Sequence, residues 1–459
     1  MKKQKKILIF IESDVLVRHF LDSGALVQLG KQFKVSLVFP LDKTNRLIHT
    51  TDIERFGFRA VRAGIPSRRR LLWKWKFYLD QAKWRCGEDW GMIRKGWRQM
   101  VGWKAACLFT IGALPVVRVI IDWLFDRELD RHPASDFENF MEEEKPDGIV
   151  LPSTFNGYFE NDAMRLGGHR KIPVLLLMNS WDNPSTKRML VEQPSAVVVW
   201  GPRIKQHAMR YMGMSEERVY VFGAAQFEVF RQPVVRSRKK ITESHNIASD
   251  DKLILYAGSS KGNAEDKHLN LLDHAIETGL IPSAKVIYRP HPYGVSQETA
   301  QRILETRFQH IHIEARMRTL IEDLAAGRHK GFFLTPYQET HDLLSAVDMV
   351  ISPLSTILIE AGLHGKPVMC MIPTEEDVGS HWVILRDLAH FRELTDHPDV
   401  ITVRSMEQFL PCLKILLKRS ESEEFGTIIK EAMYEFVKFP ERKYADSVAD
   451  LTHALVSQK

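Results

Sequence analysis

Two stretches in the second half decide how this chain is read: Tyr288-Arg289-Pro290-His291-Pro292, preceded by Lys285-Val286-Ile287, and Ser352-Pro353-Leu354-Ser355-Thr356-Ile357-Leu358-Ile359-Glu360-Ala361, preceded by Val347-Asp348-Met349-Val350-Ile351. In each, a short and continuous apolar run gives way to polar residues. Runs of that length without alternation read as strands covered on both faces, as in a parallel sheet flanked by helices. Both turns are therefore expected at the carboxyl edge of one parallel sheet, where open α/β sheets gather ligands.

Working outward, residues 252–257 form another apolar run that ends in Gly258-Ser259-Ser260-Lys261-Gly262. A glycine-serine turn between strand and helix lets backbone N–H groups approach an anion. Further strands are expected at 311–313, 331–334, 349–351 and 367–371, and the last stretch, 382–457, reads mainly helical. Before this half lies a polar segment, 230–251, with Pro233, Arg236, Arg238, Lys239 and Lys240. It breaks the periodicity, and a domain boundary is placed there.

The first half alternates in the same way. Residues 6–11 read as a strand, 14–29 as a helix and 34–39 as a strand, and the alternation resumes at 148–151, 173–178, 196–200 and 218–223. No G-x-G-x-x-G follows the first strand, so a dinucleotide cofactor is not expected. The predicted class is α/β: two Rossmann-like domains, 1–230 and 252–459, joined by a linker at 231–251. A helical basic insertion occupies about 62–133 of the first, and the second ends in a helical tail. A chain of 459 residues suits two or three cores.

Composition narrows the class further. The chain is 44% apolar and 27% charged, as soluble proteins are. Its four cysteines contain no C-x-x-C, so a reduced, cytoplasmic protein without structural zinc is expected. Lysines at the amino terminus precede residues 7–11, but Glu12 and Asp14 stop the apolar run after five residues, so this reads as a first strand and not an export signal. The net charge of +6 is unevenly spread: residues 62–104 hold twelve cations against three anions, interleaved with six tryptophans. An apolar stretch, 105–117, follows.

Cations with tryptophans beside an apolar helix suit a surface resting on an anionic bilayer, here Arg68, Arg69, Arg70, Trp73, Lys74, Trp75 and Lys76. The other reading is a helical insertion whose tryptophans pack on the domain. Pro115, Arg118 and Asp122 interrupt the apolar run, which argues against a spanning helix. No nucleic-acid motif accompanies the charge, and no nucleic-acid partner is expected.

The order Gly258-Ser259-Ser260, Arg289-Pro290-His291-Pro292, Ser352 to Ala361 and Gly365-Lys366-Pro367-Val368 resembles the nucleotide-binding half of the GT-B glycosyltransferases. The likeness is to the group that builds bacterial surface polysaccharides, with its capsule and polysialic acid transferases and its CDP-glycerol glycerophosphotransferases; UDP-GlcNAc 2-epimerases share the fold. It implies a cytoplasmic, metal-independent enzyme, lying peripherally at the inner membrane face. It would move a sugar from a nucleotide-sugar donor to a polysaccharide or lipid-linked glycan acceptor, with no cofactor besides the donor. An alditol phosphotransferase, a 2-epimerase and a non-enzymatic nucleotide-binding protein are the alternatives.

Roles follow from the residue types. His291 between two prolines can donate to a phosphate oxygen, and Arg289 can add a fixed positive charge to a departing nucleotide. Ser352, Ser355 and Thr356 offer hydroxyls at a helix start, and Ser259, Ser260 and Lys261 offer a second anion contact. The resemblance implies that Glu360 accepts from a ribose diol. His310, His312 and Glu314 share one strand face, but a solvated face is the commoner outcome, and no metal is expected. A general base is expected from the first domain, with Asp14 first and Glu12 and Asp182 behind it. Asp14 also reads as a helix N-cap and Asp182 as an Asx-turn residue.

Overall fold

The computed structural model describes residues 4–41, 56–82, 107, 111, 114–153, 158–187, 190–259, 264–328, 333–373 and 388–458. Ser260 and Lys261 lie outside the described residues, as do Trp84, Trp90, Trp97 and Trp103 of the insertion. By contacts the chain divides into two units, Met1–Glu228 with Phe436–Lys459, and Val229–Glu435.

The first unit holds seven strands: β1 (Lys6–Phe10), β2 (Lys34–Pro40), β3 (Arg59–Ala63), β4 (Gly148–Ser153), β5 (Val174–Met178), β6 (Ala196–Val199) and β7 (Val219–Val221). All pair in parallel, in the order β3-β2-β1-β4-β5-β6-β7. The chain runs outward from β1 to β3 and then returns to the other side of β1, so the strand order reverses between β1 and β4. That switch point opens a crevice at the carboxyl edge. Strand β3, Arg-Ala-Val-Arg-Ala, is largely exposed and carries no apolar run, which is why the sequence pattern gave no sign of it.

The helix expected over 14–29 is interrupted. Asp14–Leu16 runs into a π-turn, Val17–Leu21, and a separate helix, Val27–Gln32, follows. The terminal helix Tyr444–Ser457, expected with the second domain, packs in the first unit instead. Its Tyr444, Val448, Ala449 and Val456 join Ile7, Ile9, Val150 and Leu175 in one core. An amphipathic helix shows which of its faces is apolar, and not which sheet that face will cover.

In the insertion, Ser67–Ala82 and Pro115–Arg131 pack with the Tyr158–His169 helix around Trp73, Phe125 and Leu129. Arg69 and Trp73, expected on a membrane surface, are 3% and 1% exposed. Arg69 Nε donates to Asp162 Oδ1 at 2.9 Å, and Nη1 reaches the Leu129 and His132 carbonyls, both at 2.7 Å. One guanidinium thus ties three segments together, a use of arginine that a run of three does not reveal. Arg68 pairs with Glu128, Lys76 with Asp122, Lys74 and Trp75 are exposed, and Arg70 is half-buried. No helix among the described residues is long and apolar enough to cross a membrane.

The second unit is a six-stranded parallel sheet of β8 (Lys252–Ala257), β9 (Ala284–Arg289), β10 (Ile311–Ile313), β11 (Met349–Ser352), β12 (Val368–Met371) and β13 (Ile401–Val403). Its order is β10-β9-β8-β11-β12-β13, so the reversal falls between β8 and β11. The segment expected as a linker is part of this unit. It contains the helix Arg238–Ser244, and Arg238 forms a two-pronged pair with Asp348 at 3.0 and 2.9 Å. The Asp342 carboxylate accepts the Val235 and Arg236 backbone N–H groups. Phe333 and Leu334, expected in a strand, are irregular, with Phe333 N–H donating to the Pro292 carbonyl at 3.1 Å.

Candidate functional site

At the carboxyl end of β9 the chain turns sharply. Gly294 N–H closes the turn on the His291 carbonyl, and its φ of +75° is one that glycine adopts without strain. Within the turn, Tyr293 N–H donates to His291 Nδ1 at 3.1 Å, and the two rings stack at 5.3 Å. An accepting Nδ1 fixes the neutral tautomer, so the remaining proton sits on Nε2 and is the one His291 can donate. Burial pushes this imidazole down to about 4, which keeps that tautomer at neutral pH.

Arg289, two residues earlier, is committed differently from the expectation of a phosphate contact. Its Nε and Nη2 hold the Glu314 carboxylate, Nη2 to Oε1 at 2.8 Å, and Nη1 donates to Thr340 Oγ1 at 3.0 Å. Each terminal nitrogen keeps one further N–H. Burial disfavours both charges, but the mutual attraction outweighs it, raising Arg289 and lowering Glu314 from their ordinary values. Glu314 therefore serves Arg289 rather than any cluster with His310 and His312; His310 Nδ1 meets Lys285 Nζ at 2.9 Å.

The glycine-serine turn after β8 also differs from its reading. Ser259 N–H donates to Glu265 Oε1 at 2.9 Å, and Tyr288 Oη–H donates to Glu265 Oε2 at 2.7 Å. Glu265 is wholly buried, and a Cβ on Gly258 would meet its oxygen at 2.5 Å. The glycine thus makes room for a carboxylate of the protein itself, and the Ser259 amide is already engaged. Burial, with Glu265 adding to it, raises Tyr288 well above its usual value, so the phenol stays a donor.

At the end of β11, beside the switch point, Ser352 is fully buried and its Oγ has no hydrogen-bond partner among the described residues. Ser355 Oγ accepts from Ile357 N–H at 3.4 Å, and the Thr356 carbonyl takes the N–H groups of Ile359 and Glu360. These start the helix Ile357–Leu363, in whose first turn Glu360 lies 7% exposed. The Glu360 carbonyl accepts from His364 Nδ1 at 2.7 Å, and His364 Nε2 meets His341 Nδ1 at 2.9 Å, which anchors this helix to Tyr337–Ala346.

In the first unit, Glu12 and Asp14 follow β1 and Asp182 follows β5. Ser13 occupies the N-cap position, without a side-chain capping bond, and Asp14 is the first helical residue rather than the cap. Asp182 precedes the short helix Asn183–Thr186, and its Oδ2 and carbonyl both accept from Thr186 Oγ1. Trp181 beside it is buried edge-on against Phe436. The unexpected residue here is His19, inside the π-turn and 8% exposed. Its Nδ1 contacts the Asn179 amide oxygen at 2.6 Å. That oxygen only accepts, so Nδ1 carries the proton and Nε2 is the basic nitrogen. No spacing connects positions 19 and 179; only the fold does, by setting β1 and β5 on either side of β4.

Burial, with Arg18 adding to it, pushes His19 down to about 3 against the Asn179 contact. The unfolded chain, with a histidine near 6.5, takes up the proton first. The stability that neutral His19 contributes is therefore complete above pH 6.5 and is lost as pH falls toward 3. His19→Gln is expected to flatten the fall in melting temperature between pH 7 and pH 4; an unchanged slope would refute the assignment. His291 and His364, also lowered to about 4, act in the same direction and leave a residual slope.

No family model matches the chain, and no curated protein does. Among solved structures, the chain resembles a UDP-N-acetylglucosamine 2-epimerase described as putative, from Listeria monocytogenes, at 12% identity and TM-score 0.57, over 100% of this chain and 98% of that one. It also resembles S. aureus MnaA in a co-structure with UDP, at 11% identity and TM-score 0.53, over 97% and 94%. A third is Anabaena HepE in complex with UDP-glucose, at 10% identity and TM-score 0.50, over 99% and 100%. At these identities the likeness concerns architecture. The parallel seven- and six-stranded sheets, the switch points and this full-length match give the chain the two-unit α/β fold of the GT-B enzymes.

Proposed function

We propose that this chain is a glycosyltransferase that moves a sugar from a nucleotide-sugar donor to a surface-polysaccharide or lipid-linked glycan acceptor. The observation that carries the reading is a pair of donors, His291 Nε2–H and the buried Ser352 hydroxyl, which has no partner among the described residues, at the ends of the two strands flanking β8. A departing nucleotide gathers negative charge on its phosphate, and preorganised donors stabilise that charge as it forms. Arg289, fixed by Glu314 and Thr340, adds a permanent positive charge beside them and stiffens the turn. Glu360 takes the ribose diol, and Ser355 and Thr356 start the helix that presents it. No cofactor besides the donor enters this reading.

The acceptor hydroxyl must lose a proton, and the first unit carries the candidates at its carboxyl edge. Asp14 remains the proposed base, with Glu12 two residues before it and Asp182, after β5, behind it. His19 joins them because its tautomer leaves Nε2 as a proton acceptor. The membrane part of the proposal is peripheral association with an anionic surface through the insertion.

A nucleotide that binds only the folded state raises stability by about 2.7 kcal/mol at a hundredfold excess over Kd. A melting screen with CMP, CDP, UDP and GDP is therefore expected to show a rise of a few degrees for the donor's nucleotide; no rise with any of the four would sink the donor site. Product mass then separates the reactions. Sugar transfer to an acceptor supports the proposal, and transfer of an alditol phosphate points to a phosphotransferase. Turnover of UDP-GlcNAc alone points to an epimerase, a reading that the name of the Listeria structural neighbour keeps in view.

A further inference from the structure

Two histidines of the second unit meet ring to ring beside the helix that carries Glu360. His341 lies on the Tyr337–Ala346 helix and His364 directly after Ile357–Leu363, and His341 Nδ1 faces His364 Nε2 at 2.9 Å. On their outer sides, His341 Nε2 faces the Gln232 carbonyl at 2.9 Å and His364 Nδ1 the Glu360 carbonyl at 2.7 Å. His341 is buried and His364 half-buried.

A carbonyl only accepts, so His341 Nε2 and His364 Nδ1 must each carry a hydrogen. A neutral imidazole has one, and in two neutral rings both are then spent. The two inner nitrogens would turn bare lone pairs on each other at 2.9 Å. A hydrogen bond between them needs a third proton, so the pair carries one proton more than two neutral rings own. Burial pushes His364 down to about 4 against its Glu360 bond, with His341, Lys366 and Lys430 adding to the effect. His364 is therefore the neutral member, and the third proton rests on His341 Nδ1.

The surroundings suit a single charge. The Phe230 ring packs on both imidazoles, with centroids 5.7 Å from His341 and 4.5 Å from His364, and an aromatic face attracts a cation. On the helix of His341, Glu339 pairs with Arg316, and Asp342 accepts from the Val235 and Arg236 N–H groups. Lys366 Nζ donates to the Ser345 carbonyl, and the Glu360 charge acts on Arg289. Lys430 stands on the Glu423–Met433 helix, which packs against Ile357–Leu363, and Arg231 precedes Gln232 in the chain.

We propose that the His341–His364 pair is a positioning device for the donor site: its third proton ties Ile357–Leu363, and with it Glu360, to residues 230–232, so that losing the proton weakens nucleotide binding. The inference rests on the reading of Glu360 as the ribose contact. With two neutral rings one of the three contacts must open: the rings part, or His364 releases the Glu360 carbonyl, or His341 releases that of Gln232. Each frees the carboxyl end of the Glu360 helix. The sign of the pH dependence is the reverse of that for His19. An unfolded histidine near 6.5 gives up the proton that the native pair keeps, so the contribution is complete below 6.5 and is lost as pH rises through the titration of the pair.

The test starts from NMR of the histidine-labelled full chain at pH 7 without nucleotide, where an ordinary histidine is mostly neutral. One ring protonated at both nitrogens is expected, and its signals should vanish in His341→Gln and in His364→Gln. UDP, CDP, CMP and GDP are then titrated between pH 7 and pH 9. The nucleotide that binds should lose affinity by up to about tenfold per pH unit, the limit for one linked proton, while both variants bind weakly with a flat profile. In turnover the effect should fall on KM rather than kcat. Two neutral rings in the wild type at pH 7 would overturn the inference and leave the donor site standing; this readout does not depend on a variant folding. A doubly protonated ring with pH-independent nucleotide affinity would overturn the positioning role. Binding of none of the four nucleotides would sink the donor-site reading, and the positioning role with it, whatever the ring signals show.

Discussion

His291→Ala is expected to lower turnover by about 100- to 1,000-fold, the usual cost of removing one preorganised donor from a developing oxyanion. Donor affinity should fall much less. The phosphate of a bound donor is already charged and meets several groups, whereas the charge that develops on bond cleavage depends on the donor aimed at it. The Tyr293 contact makes the effect specific to Nε2: with Nδ1 accepting, the ring has one proton to give. His291→Gln, which retains an N–H, should recover part of the loss. Steady-state kinetics with a separate measurement of nucleotide affinity decides the matter. A fall in affinity with kcat unchanged would make His291 a binding residue only, and no effect on either would remove it from the site.

The largest effect on stability is expected from Glu314→Ala, about 3–5 kcal/mol, because it leaves the Arg289 guanidinium buried without its counter-charge. Arg289 and Glu314 are 7% and 9% exposed. Arg289→Met/Glu314→Leu removes both charges and should restore much of the loss, since an apolar pair of similar volume is often neutral in such a position. Denaturant unfolding of the three proteins measures it; equal destabilisation by the single and double variants would mean the cost lies in packing rather than in charge. The double variant also tests the site. Turnover well below wild type in a stable Arg289→Met/Glu314→Leu protein would show that the positive charge itself serves the reaction. The lowered Glu314 carboxyl adds a pH signature: its contribution is complete above its ordinary titration range and is lost as acid protonates it.

Much of the architecture was legible because strand runs such as residues 252–257 and 349–351 are apolar, short and continuous, a pattern that burial on both faces of a parallel sheet requires. What escaped was whatever lacked that pattern. Strand β3 is largely exposed, β13 is only three residues long, and Phe333 and Leu334 are apolar yet join no strand. The turn residues of the candidate site were legible as types, since proline around His291 and hydroxyls before Ile357 announce a stiff turn and a helix start. Their partners were not. Glu265 takes the Ser259 amide, Glu314 takes Arg289, and Asn179 takes His19 from 160 positions away.

The sequence by itself determined the class, the two-sheet organisation and the places where each sheet exposes its carboxyl edge, because hydrophobic period and turn chemistry are local properties of the chain. Only the tertiary structure decided which polar groups face a ligand and which serve the protein, and to which unit the terminal helix belongs. It likewise decided that Arg69 and Trp73 go inward while Val119, Ile120 and Trp123 go outward. The physical reason is common to all of these. A charge or an apolar face states a need for a partner, and its sequence neighbours do not say who will meet it; that is fixed when distant segments are brought within hydrogen-bonding and van der Waals reach.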